Sequence, residues 1–159
     1  KTSDPQHVAH HLSYHLGKLD IDPSSGPLLT DVIVAQRERA KTLVEMAAAS
    51  AFFYRDFPAY EAKDADSHLK PEALAVLSDV RDRLSTLTDW SAEAIHAVVH
   101  AVADGHGLKL GKIAQPLRVA VAGRAVSPPI DQTLVLLGRE KTLARLERAI
   151  EYIRSRMPA

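Results

Sequence analysis

His7, His11 and His15 stand four residues apart, the spacing that lines side chains along one helical face and could let three imidazoles share a metal ion. The signature is incomplete. A metallopeptidase helix carries a Glu beside its first His to act as base, and Val8 occupies that place. His96 and His100 repeat the spacing, again without a carboxylate placed to join them. Both sets read as surface or interface histidines, and no metal site is expected. Gly105, Gly107 and Gly111 form G-x-G-x-x-x-G, one residue longer than the dinucleotide fingerprint and preceded by a helical segment rather than a strand. No phosphate loop G-x-x-x-x-G-K-[ST] and no G-x-S-x-G elbow occurs, and Asp64 and Asp66 stand in a polar stretch where solvated charge is the ordinary state. The chain has no cysteine, which removes disulfides, thiol nucleophiles, Cys-ligated zinc and iron-sulfur clusters. No catalytic constellation remains.

The residues left with chemistry to offer are basic. Lys109, Lys112, Arg118 and Arg124 precede a Ser127-Pro128-Pro129 turn, and Arg139, Lys141 and Arg145 follow the next apolar run. Ser127 has the chemistry of an N-cap and Pro128 that of a first helical residue. A hydroxyl and exposed main-chain groups would then sit beside guanidiniums, an arrangement that can hydrogen-bond unstacked bases or hold phosphates. The alternative is a solvated basic face around a structural turn. Whole-chain charge conceals this segment, because 20 Lys+Arg balance 20 Asp+Glu over 159 residues. Over residues 1–106 the counts are 10 and 16, net −6; over 107–159 they are 10 and 4, net +6. Such asymmetry suits a chain that meets a polyanion with one end.

These groups must be positioned by helices. Leu143, Leu146, Ile150, Ile153 and Met157 recur at three and four residues, one apolar stripe with Arg145, Arg148, Arg154 and Arg156 on the other faces. Val8, Leu12 and Leu16 form a similar stripe behind Asp4 and Pro5. Thr42 and Glu45 have capping-box spacing before MAAAS, Pro71 and Glu72 look like a first turn, and Ser91 opens AEAIHAVVHAVA, which the Gly105–Gly107 region ends. The apolar runs 119–122 and 134–137 sit in helical frames without strand alternation. The reading is an all-α protein of seven to nine helices in two packed subdomains, 1–66 and 67–159, with the Pro-bounded polar stretch 57–71 as boundary. Five of the eight aromatics lie between Phe52 and Tyr60, a packing hub in this reading. No run reaches 18 apolar residues and the N-terminus lacks a secretory pattern, so a cytoplasmic protein with no membrane partner is expected. A standalone helical protein-interaction module without activity fits the aromatic cluster and the missing catalytic motifs as well.

The run GKIAQPLRVAVAGRAVSPPIDQTLVLLGREKTLARLERA at 111–149 closely resembles the C-terminal region of bacterial glutamyl-tRNA synthetases. So do SDPQHVAHHLSYHL, QRERAKTLVEMA, FFYRDF and LTDWSAEAIHAVV, in the family's order and over nearly the whole chain. The resemblance implies an all-helical anticodon-binding region, usually monomeric, of a class I ligase. The ligase's ATP-binding His-Ile-Gly-His and Lys-Met-Ser-Lys-Ser types of motif are not in these residues, so ATP and Mg belong to the parent enzyme and this part is expected to be inactive alone. Its partner would be the anticodon stem-loop of glutamate tRNA, contacted on the stem side by the smaller subdomain. By the same resemblance Arg118 reads the first anticodon base and Ser127 with Pro128 meets the second, beside Ile130. Arg39, with Arg37 as competitor, reads the third. Relatives commonly carry Gly where Pro129 stands, so this turn has one backbone donor fewer. Arginine's planar fork suits base edges, whereas Lys109, Lys112, Arg124 and Lys141 suit the phosphate backbone.

Overall fold

Thr42 and Glu45 make the reciprocal bonds of a capping box: the Glu45 amide donates to Thr42 Oγ1 at 3.1 Å and the Thr42 amide to Glu45 Oε1 at 3.2 Å. The helix they start runs Leu43–Tyr54 (α3) and joins α1, Pro5–Lys18, and α2, Leu29–Gln36. The structure, a computed structural model, describes residues 5–18, 26–36, 42–54, 57, 59–125 and 127–156, with backbone only for 5–7. The chain divides into two compact units, Lys1–Phe57 and Pro58–Ala159. Residue 66 therefore lies inside the second unit, within a helix described below.

In the first unit α1 packs on both α2 and α3. Leu12 and Leu16 bury the expected stripe against Val32, Ile33, Met46 and Phe53. Gln36 is buried among them, and its amide donates to the Ala49 carbonyl at 3.1 Å and to Ser50 Oγ at 3.4 Å, which meets the requirement that a buried polar group be paired. Gly26 precedes α2 at a tight approach: a Cβ there would lie 2.7 Å from the Phe53 carbonyl oxygen and from a Tyr54 ring carbon. Tyr54 completes the contact by donating its hydroxyl to the Pro27 carbonyl at 3.0 Å, and burial, helped by Asp31, holds that phenol protonated far above its ordinary range.

The second unit holds α4, Ala62–His68; α5, Pro71–Ser85; α6, Ala92–His106; α7, Leu110–Ala122; α8, Ile130–Leu137; and α9, Arg139–Ser155. With α1–α3 these are nine helices among the described residues, and no strand, as the all-α reading expected. Pro71 is the first residue of α5, and Ser91 caps α6 by accepting from the Ala94 amide. Gly107, left-handed at φ 65°, ends α6 with the Leu108 amide on the Ala103 carbonyl. The core centres on α7, whose Ile113, Leu117 and Val119–Ala122 are buried and which packs against α4, α5, α6, α8 and α9. α5 lies along α9. Asp79 ties α5 to the end of α6, accepting from Arg83 Nε at 2.9 Å and pairing with His106 Nε2 at 3.2 Å.

Three sequence expectations need correction. The stretch 57–71 is not simply a linker, because α4 occupies its middle and packs on α7. The aromatics from 52 to 60 are not one hub: Phe52, Phe53 and Tyr54 belong to the first unit's core, whereas Tyr60 meets Tyr152 edge-on at 4.8 Å in the second. Arg145 is not on an exposed face of its helix but 5% exposed.

Gly26→Ala should destabilise the protein by about 1–3 kcal/mol through overpacking on Phe53 and Tyr54. Gly17→Ala, where an added Cβ meets nothing, serves as control; equal melting temperatures for the two variants would remove the close-approach argument. Burial raises the Asp79 pKa, but the Arg83 and His106 hydrogen bonds and charges outweigh it, so the carboxyl sits below its ordinary value. Its stabilisation is present above the unfolded pKa and is lost as pH falls through the folded one. Asp79→Asn should cost about 0.5–1 kcal/mol at neutral pH, with the gap to the parent chain closing in thermal melts as pH falls through the lowered carboxyl pKa.

Candidate nucleic-acid interface

The C-terminus of α7 builds the turn that follows it. Gly123 adopts φ 84° and closes the helix with its amide on the Val119 carbonyl. The last carbonyls of a helix have no intrahelical donor, and here they are buried, so donors come from elsewhere in the fold. Arg145 of α9 supplies Nη1 to the Val121 carbonyl at 2.7 Å, and the Glu61 amide donates to the Gly123 carbonyl at 2.8 Å. The Ala125 amide then donates to Asp64 of α4 at 2.8 Å. Asp64, which the sequence suggested was merely solvated, is thus a support of the turn, while Asp66 is exposed.

This folding brings Arg118 and Ser127 together: Arg118 Nε donates to Ser127 Oγ at 3.2 Å. Ser127 is 4% exposed and donates in turn to the Pro128 carbonyl at 2.7 Å, an oxygen that also accepts from Thr133 Oγ1 at 2.9 Å. The expected cap is displaced by two residues. Pro129 is the N-cap of α8 and Ile130 its first residue, so Ser127 does not cap and Pro128 is not helical. The second proline contributes, because a residue before proline is disfavoured in the helical region and Pro128 is kept out of the helix; Pro129 itself takes ψ 141°, so α8 starts at Ile130. Pro128 is buried, Pro129 exposed and Ile130 half-buried.

The remaining basic candidates do not join that cluster. Lys109 is the N-cap of α7, nine residues before Arg118. Lys109 and Lys112 are exposed and line a groove beside α4 and α5. Arg124 is exposed just past the Gly123 cap. Lys141 is half-buried, and burial followed by repulsion from Arg145 holds its ammonium below the ordinary lysine range. Arg139 lies over the Trp90 ring at 5.5 Å and donates to the Leu87 carbonyl, while Trp90 Nε1 donates to the Leu134 carbonyl at 2.9 Å. Arg37 and Arg39 lie outside the described residues, as does the His7 side chain. Among the described residues no three His, Asp or Glu side chains are grouped to hold a metal, and no helix is long and apolar enough to cross a membrane.

The helical fold and its basic turn coincide with a recognised class. Residues 6–150 match the anticodon binding domain family, and the chain belongs to it. Over all 159 residues it is 54% identical to glutamate–tRNA ligase 1 of Nitrosococcus oceani, covering 34% of that protein. It is 60% identical over 151 residues, 95% of the chain, to glutamate–tRNA ligase 1 of Alkalilimnicola ehrlichii, covering 32% of it. The chain thus spans about a third of the length of these relatives. In fold it matches the crystal structure of a glutamate tRNA ligase from Elizabethkingia meningosepticum with a TM-score of 0.82 at 22% identity, over 95% of this chain and 30% of that one.

Arg145→Met should destabilise the second unit by about 2–4 kcal/mol, since it strands the buried Val121 carbonyl and removes a charge-assisted bond. Denaturant titration measures it; a loss under about 0.5 kcal/mol would show that water replaces the guanidinium without cost.

Proposed function

We propose that this chain is the anticodon-recognising part of a bacterial glutamate–tRNA ligase and that it grips the anticodon stem-loop of glutamate tRNA as a cytoplasmic monomer. The observation that carries the reading is the Arg118–Ser127 hydrogen bond at a rigid turn, in a chain whose relatives are named as glutamate–tRNA ligases. Bond making with ATP and Mg falls to other parts of the ligase, because no nucleotide-binding signature stands in these residues.

Arg118 reads a base edge with its planar fork, and Ser127 is the positioning residue that fixes the guanidinium through Nε. Two consecutive prolines leave the turn without amide donors at 128 and 129, so the first main-chain donors are the Ile130 and Asp131 amides, which the helix leaves without intrahelical acceptors. Ile130 adds apolar contact to the second base. Arg39, or Arg37, serves the third base from the smaller unit. Lys109, Lys112, Arg124 and Lys141 hold phosphates, and a phosphate near Lys141 would relieve the repulsion it shares with Arg145.

Arg118→Ala should lower discrimination at one anticodon position by about 1–3 kcal/mol, whereas Lys112→Ala should weaken all stem-loops alike and flatten the salt dependence by about one unit of slope. Titration with stem-loops varied at each anticodon base separates the two. Uniform loss across all variants for Arg118→Ala would end its base-reading role.

A further inference from the structure

A groove of about 710 Å³ opens in the second unit between the α4–α5 junction and the N-terminal half of α7. Lys70, Lys109 and Lys112 line it, and Glu72 is the one carboxylate among its lining residues, so its charge is positive. Lys109 and Lys112 are three residues apart and stand side by side on α7, about 5–6 Å between Cβ atoms. Between the ammonium-bearing walls the lining is apolar, with Val76, Leu108 and Pro116. Leu108 is 40% exposed, an apolar surface without cover. Pro116 lies inside α7, and the Oε1 of Gln115, another lining residue, is buried with no hydrogen-bond partner among the described residues.

An apolar lining flanked by cations fits a ligand that carries negative charge at both ends of an apolar unit. We propose that the groove holds one unstacked ribonucleotide of the RNA partner, with base and ribose against Val76, Leu108 and Pro116 and its flanking phosphates on Lys70 and the Lys109–Lys112 pair. The inference rests on the RNA-binding reading and extends it to the N-terminal half of α7. An acidic protein segment matches the charge but not the short, flat apolar lining. The groove's volume suits a nucleotide.

Gly111 provides the test, because it lines the groove and a Cβ there meets nothing within 4 Å. Gly111→Trp fills the groove without altering charge, and Gly111→Ala leaves it open. Anisotropy titration of the chain with the glutamate anticodon stem-loop and its anticodon variants should show Gly111→Trp binding about tenfold or more weaker, equally on every variant, with Gly111→Ala unchanged. Lys70→Ala, remote in sequence from α7, should weaken binding and reduce the salt slope by about one. If Gly111→Trp and Lys70→Ala both bind within about twofold of the parent chain while Arg118→Ala still loses discrimination, the groove is overturned and anticodon reading stands. If Gly111→Trp weakens binding but no variant of the stem-loop is distinguished, the groove stands and anticodon reading falls. A parent chain that binds no stem-loop at low salt overturns both.

Discussion

The buried C-terminus of α7 is the constraint from which the rest of the second unit follows. A helix end in the interior must find donors for its last carbonyls, and α7 finds them in the Arg145 guanidinium and the Glu61 amide. Burying a cation is costly unless something negative faces it, and the negative end of the α7 dipole does so here. The two bonds fix where α9 and α4 lie. Once α4 is in place Asp64 captures the Ala125 amide, and the chain leaving Gly123 is directed so that Ser127 comes within reach of Arg118. The turn that carries Ser127 is therefore held by residues of α4 and α9 that lie far from it in sequence.

The same helix separates two kinds of contact. Its C-terminal half carries Arg118 and leads into the turn, where the hydrogen-bond network among Arg118, Ser127, Pro128 and Thr133 leaves little rotational freedom. Its N-terminal end carries Lys109 and Lys112, exposed ammonium groups on flexible stems. A fixed planar donor discriminates because a wrong base leaves it unpaired, whereas a mobile point charge accepts any phosphate. In the proposed reading specificity belongs to the C-terminal half of α7 and affinity to its N-terminal end, so substitutions at one can leave the other intact.

Local signals were legible in the sequence and distant ones were not. Thr42 with Glu45, Ser91 and Gly107 each announce a helix end through bonds spanning three to five residues, and the structure makes those bonds. Asp64 and Arg145 act across separations of 61 and 24 residues, and nothing in their neighbourhoods distinguishes them from surface charges. The displaced start of α8 is a different case. The rule that excludes a pre-proline residue from helical geometry was available at Pro128, and the stronger-looking Ser-Pro cap signal obscured it. The separate destinations of Phe53 and Tyr60 depend on where the units divide, which composition alone marked only to within a polar stretch.

The positive C-terminal third is less available to a polyanion than its ten Lys and Arg residues suggest. Arg145 is buried on a carbonyl, Arg139 lies over Trp90, Arg148 over Tyr60 at 5.6 Å, and Arg156 over Tyr152 at 4.3 Å. A guanidinium over an aromatic ring keeps its charge but is held in one place by the protein's own packing. Lys109, Lys112 and Arg124 around α7 are exposed, as are Arg139, Arg154 and Arg156, of which Arg139 and Arg156 lie over rings and Arg154 is 3.9 Å from Glu151. Three or four phosphate contacts imply a salt slope of only about −3, well below that of a strongly basic RNA-binding protein. If the chain binds RNA as proposed, such weak nonspecific attraction would let the wrong RNA leave quickly, with most of the binding energy for the right one coming from placed contacts at the turn.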